Sequence, residues 1–338
     1  SDTMQQSDTM QLQQSVIVDK DERETLELIE AIELAKVSSE PGQLLPLLRK
    51  YGLAREHIPT PLLSSLEVWA ALLEKMPMTG MLRNLGKMSS IGLITTGSAA
   101  ARKVAERLTD VEALRGARVH PISLLVALRT YSQGRGDKGK LVWERAEEVV
   151  TALDEAFYLS FSLVEPTGQR IVVGLDVSGS MCALVPGLNL SCREAACAMT
   201  MLALRTEPNT HILSFQETVK PLAINSAMTL KQAADFTNGL PFGATDCAGP
   251  MLWASRNNVL ADCFIVYTDC ETNYGSVAPS AALRAYRDQT GIAAKLIVVG
   301  MSSSMFSIAD PADGGMLDVV GFDAAAPLLM SEFMLGRI

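Results

Sequence analysis

The sequence has few histidines, no Cys-x-x-Cys pair and no long apolar run. Three histidines and six scattered cysteines give neither the ligand spacing of a zinc site nor the framework of a disulfide-rich domain. We therefore expect reduced thiols and a cytoplasmic location. The apolar runs have the length of strands, far below the ~20 residues of a transmembrane helix, so no membrane span is predicted.

Three segments with different residue patterns follow one another along the chain. Residues 1–20 are polar and contain SDTM twice, which predicts a disordered tail. Over residues 21–165, apolar side chains recur at helical spacing, as at Leu26, Ile29 and Ile32, and prolines separate the stripes. Each such helix is marginal alone, so we predict an α-helical repeat domain, HEAT-like, in which neighbouring helices cover one another.

Residues 166–338 alternate between strand and helix patterns. Apolar strands between helices are typical of a mainly parallel sheet that is covered on both faces. The predicted strands are 171–175, 211–215, 264–268 and 295–300, and the predicted helices are 193–205, 229–237, 250–257 and 279–289. We predict an α/β doubly wound, Rossmann-like fold for this domain.

The stretch GLDVSGSM, residues 174–181, follows the first strand of the predicted sheet. Ligands of doubly wound sheets bind beyond the carboxyl ends of the strands, where the strand order reverses. Asp176, Ser178 and Ser180 alternate along the stretch, so a turn can aim their oxygens at one point. A metal site, a nucleophile turn and a plain polar loop are the three interpretations.

Catalytic motifs lack the residues that they need at this position. The stretch is neither a GK[ST] phosphate-binding loop nor a GxSxG nucleophile turn, and Ser178 stands where a phosphoryl-accepting loop needs a second acid. His211 is the only histidine of this domain and begins a strand, so a Ser-His-Asp triad has poor material. We expect a protein that binds rather than an enzyme.

Two later loops carry the same kind of oxygen ligands. GATDC, residues 243–247, presents Thr245, and YTDCET, residues 267–272, presents Asp269 directly after a strand. Carboxylates and hydroxyls without histidine or thiolate favour a hard cation, and few carboxylates suit magnesium better than calcium. The three loops together predict a cation site.

The order DxSxS, then threonine, then aspartate resembles the metal-ion-dependent adhesion site of von Willebrand factor A domains. By that resemblance, Ser178, Ser180 and Thr245 supply hydroxyl ligands, while Asp176 and Asp269 bind directly or through water. The resemblance implies Mg²⁺ or another hard divalent cation. It also implies that a carboxylate from a partner protein fills the open coordination position.

Longer blocks of the sequence resemble the Ro ribonucleoprotein family. Members of that family join a helical TROVE domain to a von Willebrand A domain and bind small noncoding RNAs, including Y RNAs. The blocks include EVWAALLEKMPMTGMLRNLGKM (67–88), RVHPISLLVALRTYSQGRGDKGKLVW (118–143), EPTGQRIVVGLDVSGSM (165–181) and GATDCAGPMLWA (243–254). The resemblance implies a Y RNA-like partner.

The resemblance covers only part of the helical domain. Ro proteins have a longer ring of helical repeats, closed by the A domain, whereas residues 21–165 correspond to its later part. We therefore expect a short variant or a fragment, lacking the amino-terminal part of the TROVE ring, whose copies assemble head to tail into a homo-oligomeric ring.

A basic window lies within an otherwise acidic chain. Residues 75–145 carry 13 Lys and Arg against 5 Asp and Glu, although the whole chain has a net charge of -9. Lysine and arginine on helices bind phosphates without reading sequence, and the window has only two aromatic residues, Tyr131 and Trp143, for base stacking. We expect backbone-dominated RNA binding with steep salt dependence. The predicted RNA-binding residues are Arg83, Lys87, Arg118, His120, Arg129, Arg135, Lys138 and Lys140.

Two alternatives stay open at this point. The cations are also compatible with ordinary solvated helix faces, and His120 precedes Pro121, where helix capping competes with an RNA contact. A protein-interaction module that assembles subunits and recruits a partner through the metal site, without RNA, is the alternative function.

Overall fold

A computed structural model gives the fold of residues 20–136, 139–241, 243–269, 274–302, 308–322 and 325–338. The predicted disordered tail lies outside these described residues, apart from Lys20, where the first helix begins. The chain divides into two compact units, one of residues up to 81 with 91–93 and the other of residues 82–90 and 94–338. None of the helices in these ranges combines the length and apolar character that a membrane span requires.

The first unit is a small set of helices. Its elements are α1 (Lys20–Val37), α2 (Pro41–Tyr51), short 3₁₀ turns at Arg55–His57 and Thr60–Ser64, and α3 (Leu66–Lys75). Gly52 ends α2 in the left-handed region at φ 63°, and the Ser65 hydroxyl accepts from the Val68 amide to begin α3. Leu48 and Trp69 are buried in this unit. Helix α4 (Met78–Ser90) contributes its start to this unit and the rest to the second.

The second unit begins with a layer of helices. These are α5 (Ala99–Thr109), α6 (Val111–Ala117), α7 (Pro121–Ser132) and α8 (Glu147–Leu159). Side-chain caps fix where they start: Ser98 accepts from the Ala101 amide, and Asp110 accepts from the amides of Glu112 and Ala113. Helix α8 packs against both α5 and α7.

A six-stranded sheet in the order β3-β2-β1-β4-β5-β6 follows. The strands are β1 (Arg170–Asp176), β2 (Asn209–Phe215), β3 (Val219–Pro221), β4 (Cys263–Thr268), β5 (Lys295–Gly300) and β6 (Met316–Val320). All neighbouring strands are parallel except β2 and β3. The strand order reverses between β1 and β4, and this places the switch point of the sheet at their carboxyl ends.

Helices cover both faces of the sheet, as the sequence pattern predicts. They are α9 (Cys192–Thr206), α10 (Leu230–Asn238), α11 (Gly249–Arg256), α12 (Pro279–Thr290) and α13 (Ala326–Met334). Val172, Phe264 and Val298 share a core with residues of α11 and α12. The alternate residues Val173 and Ile265 are also buried, so the opposite face is covered as well.

The predicted class, a helical region followed by an α/β doubly wound sheet, is confirmed. The four predicted strands and the four predicted helices over 166–338 match observed elements to within two residues at each end. The sequence pattern missed β3, β6 and α13: β3 has three residues, and Asp318 interrupts the apolar pattern of β6. Helices α5–α8 lie in the same compact unit as the sheet. The boundary between the two compact units therefore falls earlier in the chain than residue 166, where the sequence changes from helical to alternating strand and helix patterns.

Candidate metal site and basic helical residues

The predicted metal loop lies directly after β1, at the switch point of the sheet. Asp176 is the last residue of β1 and is buried. Its Oδ1 accepts from the Ser178 amide at 2.8 Å, and its Oδ2 accepts from the Thr268 hydroxyl, at the end of β4, at 2.8 Å. The hydroxyl oxygens of Ser178 and Ser180 are 3.1 Å apart. The turn therefore brings the oxygens of the DxSxS stretch together, as expected.

Asp269 and Thr245 are buried at the same end of the sheet. Asp269 follows the last residue of β4, and its Oδ1 is buried without a hydrogen-bond partner among the described residues. Thr245 is buried. The amide of the next residue, Asp246, donates to the Gln216 carbonyl just beyond the end of β2. Ser180 is exposed, so the site opens to solvent on that side. A buried carboxylate oxygen without a partner is a place that a cation satisfies.

The electrostatics of the two aspartates also favour a cation. Burial raises the pKa of Asp176 to about 6, the hydrogen bonds from Ser178 and Thr268 oppose that rise, and the charge of Asp269 adds to it. Within the described ranges, no group of three or more His, Cys, Asp or Glu side chains is placed to hold a metal ion. The five predicted ligands are two carboxylates and three hydroxyls, a donor set that fits a hard cation.

Arg193 contacts the metal loop and was missed by the sequence reasoning. It lies in the first turn of α9 and is 1% exposed. Its Nη2 donates to the carbonyls of Val177 at 2.9 Å and Ser178 at 2.8 Å. These two hydrogen bonds fix the backbone of the loop against α9. The only sequence signal is an arginine beside a glutamate at the start of the mainly apolar stretch CREAACAM, which does not reveal the contact.

The seven predicted RNA-binding residues that the structure describes belong to the second unit, and four of them are exposed. Arg83 and Lys87 lie one turn apart on α4, and Arg83 is exposed while Lys87 is half-buried. Arg118 ends α6 in the left-handed region, with φ 51°, and is exposed. Arg135 and Lys140, between α7 and α8, are exposed as well. Lys138 lies outside the described residues.

His120 caps a helix. Its Nδ1 accepts from the Ile122 amide at 3.2 Å at the start of α7, and burial lowers its pKa to about 4. The imidazole is therefore neutral near pH 7, and only Nε2 is left for the predicted RNA contact.

Arg129 forms an ion pair with an acid of α9. Its Nη2 lies 3.2 Å from Glu194 Oε1 in the first turn of α9, and both side chains are partly exposed. Burial raises the pKa of Asp154, and the charge of Arg129 opposes that rise. Two acids therefore lie near the Arg129 guanidinium.

Both aromatic residues of the basic window are buried. Tyr131 and Trp143 stack with ring centroids 6.2 Å apart, and the Trp143 Nε1 donates to the Tyr131 carbonyl at 3.0 Å. Neither ring can stack on an RNA base without leaving the core.

Both the helical part and the sheet domain of the chain match known protein domains. Residues 170–334 match the family model for the Ro60 vWA domain, and residues 19–129 match the model for the TROVE domain. The RNA-binding protein RO60 of Caenorhabditis elegans is 42% identical over 324 residues, which are 95% of this chain and 50% of that protein. The chain belongs to the Ro family.

Other Ro proteins give the same result. The RNA-binding protein RO60 of Deinococcus radiodurans is 45% identical over 295 residues, which are 86% of this chain and 55% of the relative. The crystal structure of the Deinococcus radiodurans RO (RSR) protein matches with a TM-score of 0.86 at 42% identity and covers 95% of this chain and 65% of that one. The chain thus spans about half the length of the curated relatives that it matches.

Proposed function

We propose that this Ro-family chain binds small noncoding RNA of the Y RNA kind and does not act as an enzyme. Cations of the second unit, most of them exposed, carry this proposal. Within the described ranges, no acid forms an ion pair with Arg83, Lys87, Arg118, Arg135 or Lys140, whereas several cations elsewhere, such as Lys50, Lys231 and Arg287, are paired. Unpaired cations are free to bind phosphates. The RNA-binding relatives support the same function.

Sequencing of the RNA that co-purifies with the chain from the cytoplasm of its host tests this function. We expect small structured RNAs that RNase removes from the protein. A purified protein without nucleic-acid absorbance, and without affinity for added RNA at low salt, would reject the function.

We further propose that Asp176, Ser178, Ser180, Thr245 and Asp269 hold Mg²⁺ or another hard divalent cation. The buried Oδ1 of Asp269, which has no hydrogen-bond partner among the described residues, and the raised pKa of Asp176 support this. When bound, the cation would offset the two buried charges and accept a carboxylate from a protein partner. The Arg193 guanidinium binds two carbonyls of the loop. It would therefore keep these carbonyls turned away from the oxygens that bind the cation.

A protein-assembly function is the second candidate, and α1 favours it. Leu26, Ile29, Leu34 and Val37 fall on one side of this helix and are all exposed, with Val37 at 78%. An uncovered apolar helix face is typical of a surface that another protein covers. We propose that α1 contributes to a homo-oligomeric ring, and the mass of the purified chain in solution tests this.

The two candidates make different predictions for one experiment. If the chain assembles and binds RNA, RNase treatment removes the RNA. If it is an assembly module alone, the oligomer forms and no RNA is recovered at any stage.

A further inference from the structure

A short hairpin stem connects α7 and α8. Arg135 and Val142 form an antiparallel bridge, the Gly136 amide donates to the Leu141 carbonyl, and the Trp143 amide donates to the Gly134 carbonyl, both at 2.9 Å. We call residues 134–136 and 140–143 the basic stem. These two backbone hydrogen bonds, which make up the bridge, give the side chains of so short a segment a defined direction.

The basic stem exposes two cations beside two apolar side chains. Arg135 and Lys140 are exposed, and in the described part of the chain neither forms an ion pair. Val142 is 68% exposed and Leu141 is 39% exposed. Positive charge next to apolar surface suits an unpaired nucleic-acid segment, whose phosphates bind the cations while its bases contact the apolar side chains.

Trp143 anchors the basic stem in the helical layer. It is buried, stacks on Tyr131 of α7 and donates to the Tyr131 carbonyl. The Tyr131 hydroxyl in turn accepts from the Ala146 amide at 3.0 Å, just before α8, and lies 2.8 Å from the Ser89 hydroxyl of α4. The base of the stem is therefore fixed to three helices.

Gly86 of α4 leaves the space that the Trp143 indole fills. A Cβ at position 86 would lie 2.7 Å from two carbons of the indole ring, closer than such atoms ever approach. Glycine is disfavoured against alanine within a helix, so its presence at this position is explained by the tryptophan beside it. Any side chain at position 86 must displace the anchor of the stem.

We propose that Gly86 and Trp143 are positioning residues for RNA binding: they hold the basic stem so that it binds an unpaired RNA segment. This proposal rests on the proposed RNA-binding function. Gly86 and Trp143 do not contact the RNA themselves. They act by setting where Arg135, Lys140 and Val142 lie.

The test measures the affinity of the full chain for a fluorescent oligouridine of about 16 nucleotides. Gly86→Ala is expected to weaken binding at least threefold. It is also expected to lower the salt dependence of binding, because fewer phosphates are held. Gly42→Ala is the matched control: Gly42 is also helical and exposed, and a Cβ there meets nothing within 4 Å. It should leave the affinity unchanged.

A double-mutant cycle separates positioning from simple destabilisation. In a chain with Arg135→Gln and Lys140→Gln, the further change Gly86→Ala should have a much smaller effect on affinity, because only the apolar contacts of the stem are left for it to displace. Equal effects of Gly86→Ala with and without these cations would overturn the proposal. An unchanged affinity and salt slope in Gly86→Ala would overturn it too.

Two further measurements keep the proposal testable. If Gly86→Ala does not fold, Trp143→Phe replaces it as the variant. The smaller ring fits the gap but loses the hydrogen bond to the Tyr131 carbonyl. A weaker and less salt-dependent complex would support the proposal, and wild-type affinity would contradict it. If the variant weakens the binding of a blunt RNA duplex as much as that of oligouridine, the stem does not select an unpaired segment, and the proposal is contradicted. Wild-type chain that binds oligouridine poorly but binds structured RNA contradicts the stem proposal and leaves the RNA-binding function intact.

Discussion

Removal of four cations of the second unit should reduce RNA affinity steeply and flatten its salt dependence. The variant changes Arg83, Lys87, Arg135 and Lys140 to glutamine. Each lost phosphate contact lowers the slope of log affinity against log salt by about 0.7 for single strands. Four contacts therefore lower the slope by about 3, and at 0.1 M salt they account for roughly three orders of magnitude in affinity as an upper bound.

Fluorescence anisotropy with a small stem-loop RNA that carries an unpaired tail, at several salt concentrations, measures both quantities. The control variant removes the same charge elsewhere by changing Arg49, Lys231, Arg284 and Arg337 to glutamine; each of these is exposed and already paired with an acid. We expect at least a tenfold loss in the first variant and less than a threefold loss in the control. Equal losses would show that net charge alone governs binding, and an unchanged slope in the first variant would refute the assignment of these cations.

The remaining predictions concern the metal site, assembly and stability. Asp269→Asn should abolish the rise in melting temperature that Mg²⁺ gives the wild-type chain, measured by differential scanning fluorimetry; a rise of equal size would remove Asp269 from the site. Arg193→Lys keeps the charge but cannot hold both loop carbonyls, so calorimetry should show Mg²⁺ binding at least threefold weaker, and unchanged binding would mean that the loop needs no support from Arg193. Leu34→Glu in α1 should reduce the mass seen by light scattering to that of a monomer, whereas a persistent oligomer would place the interface elsewhere. The hydrogen bond from Arg287 lowers the pKa of Asp313, so the pair stabilises the fold above the ordinary aspartate pKa and this stability is lost as pH falls below about 4. Asp313→Asn should therefore lower the free energy of unfolding, measured by urea denaturation, by about 1.5–3 kcal/mol at pH 7 and by much less at pH 3. A loss of stability that does not depend on pH would contradict the ion pair.

The positions of two loops of the candidate metal site could be predicted from the sequence because they follow from the sheet alone. Asp176 and Asp269 each come at or just after the carboxyl end of a buried strand, and parallel strands bring these ends to one edge. Strands β1 and β4 are neighbours in the sheet, so the prediction needed no knowledge of side-chain packing.

Contacts between distant segments could not be predicted in the same way. Arg193 reads as one charge at the start of a helix, and only the packing of α9 shows that it binds the Val177 and Ser178 carbonyls. Gly86 and Trp143 are 57 positions apart in the chain, and nothing local to either one indicates that the indole fills the space beside the glycine. Long-range contacts of this kind depend on the tertiary fold rather than on spacing.

The choice between capping and RNA binding for His120 was also beyond the sequence. His-Pro at a helix start fits both, because a histidine nitrogen can accept from a backbone amide or contact RNA. The hydrogen bond from the Ile122 amide and the burial of the ring assign a capping role. Surface cations such as Arg83 show the opposite case, since exposure on a helix was expected and RNA contact stays a prediction.

Ultraviolet crosslinking of the chain to its co-purified RNA, followed by mass spectrometry of the peptides, tests the central claim most directly. The account predicts crosslinks in α4 around residues 83–87 and in the basic stem, with the stem crosslinks lost in Gly86→Ala. Crosslinks confined to α1–α3 or to the sheet, or no crosslinked RNA at all, would contradict it.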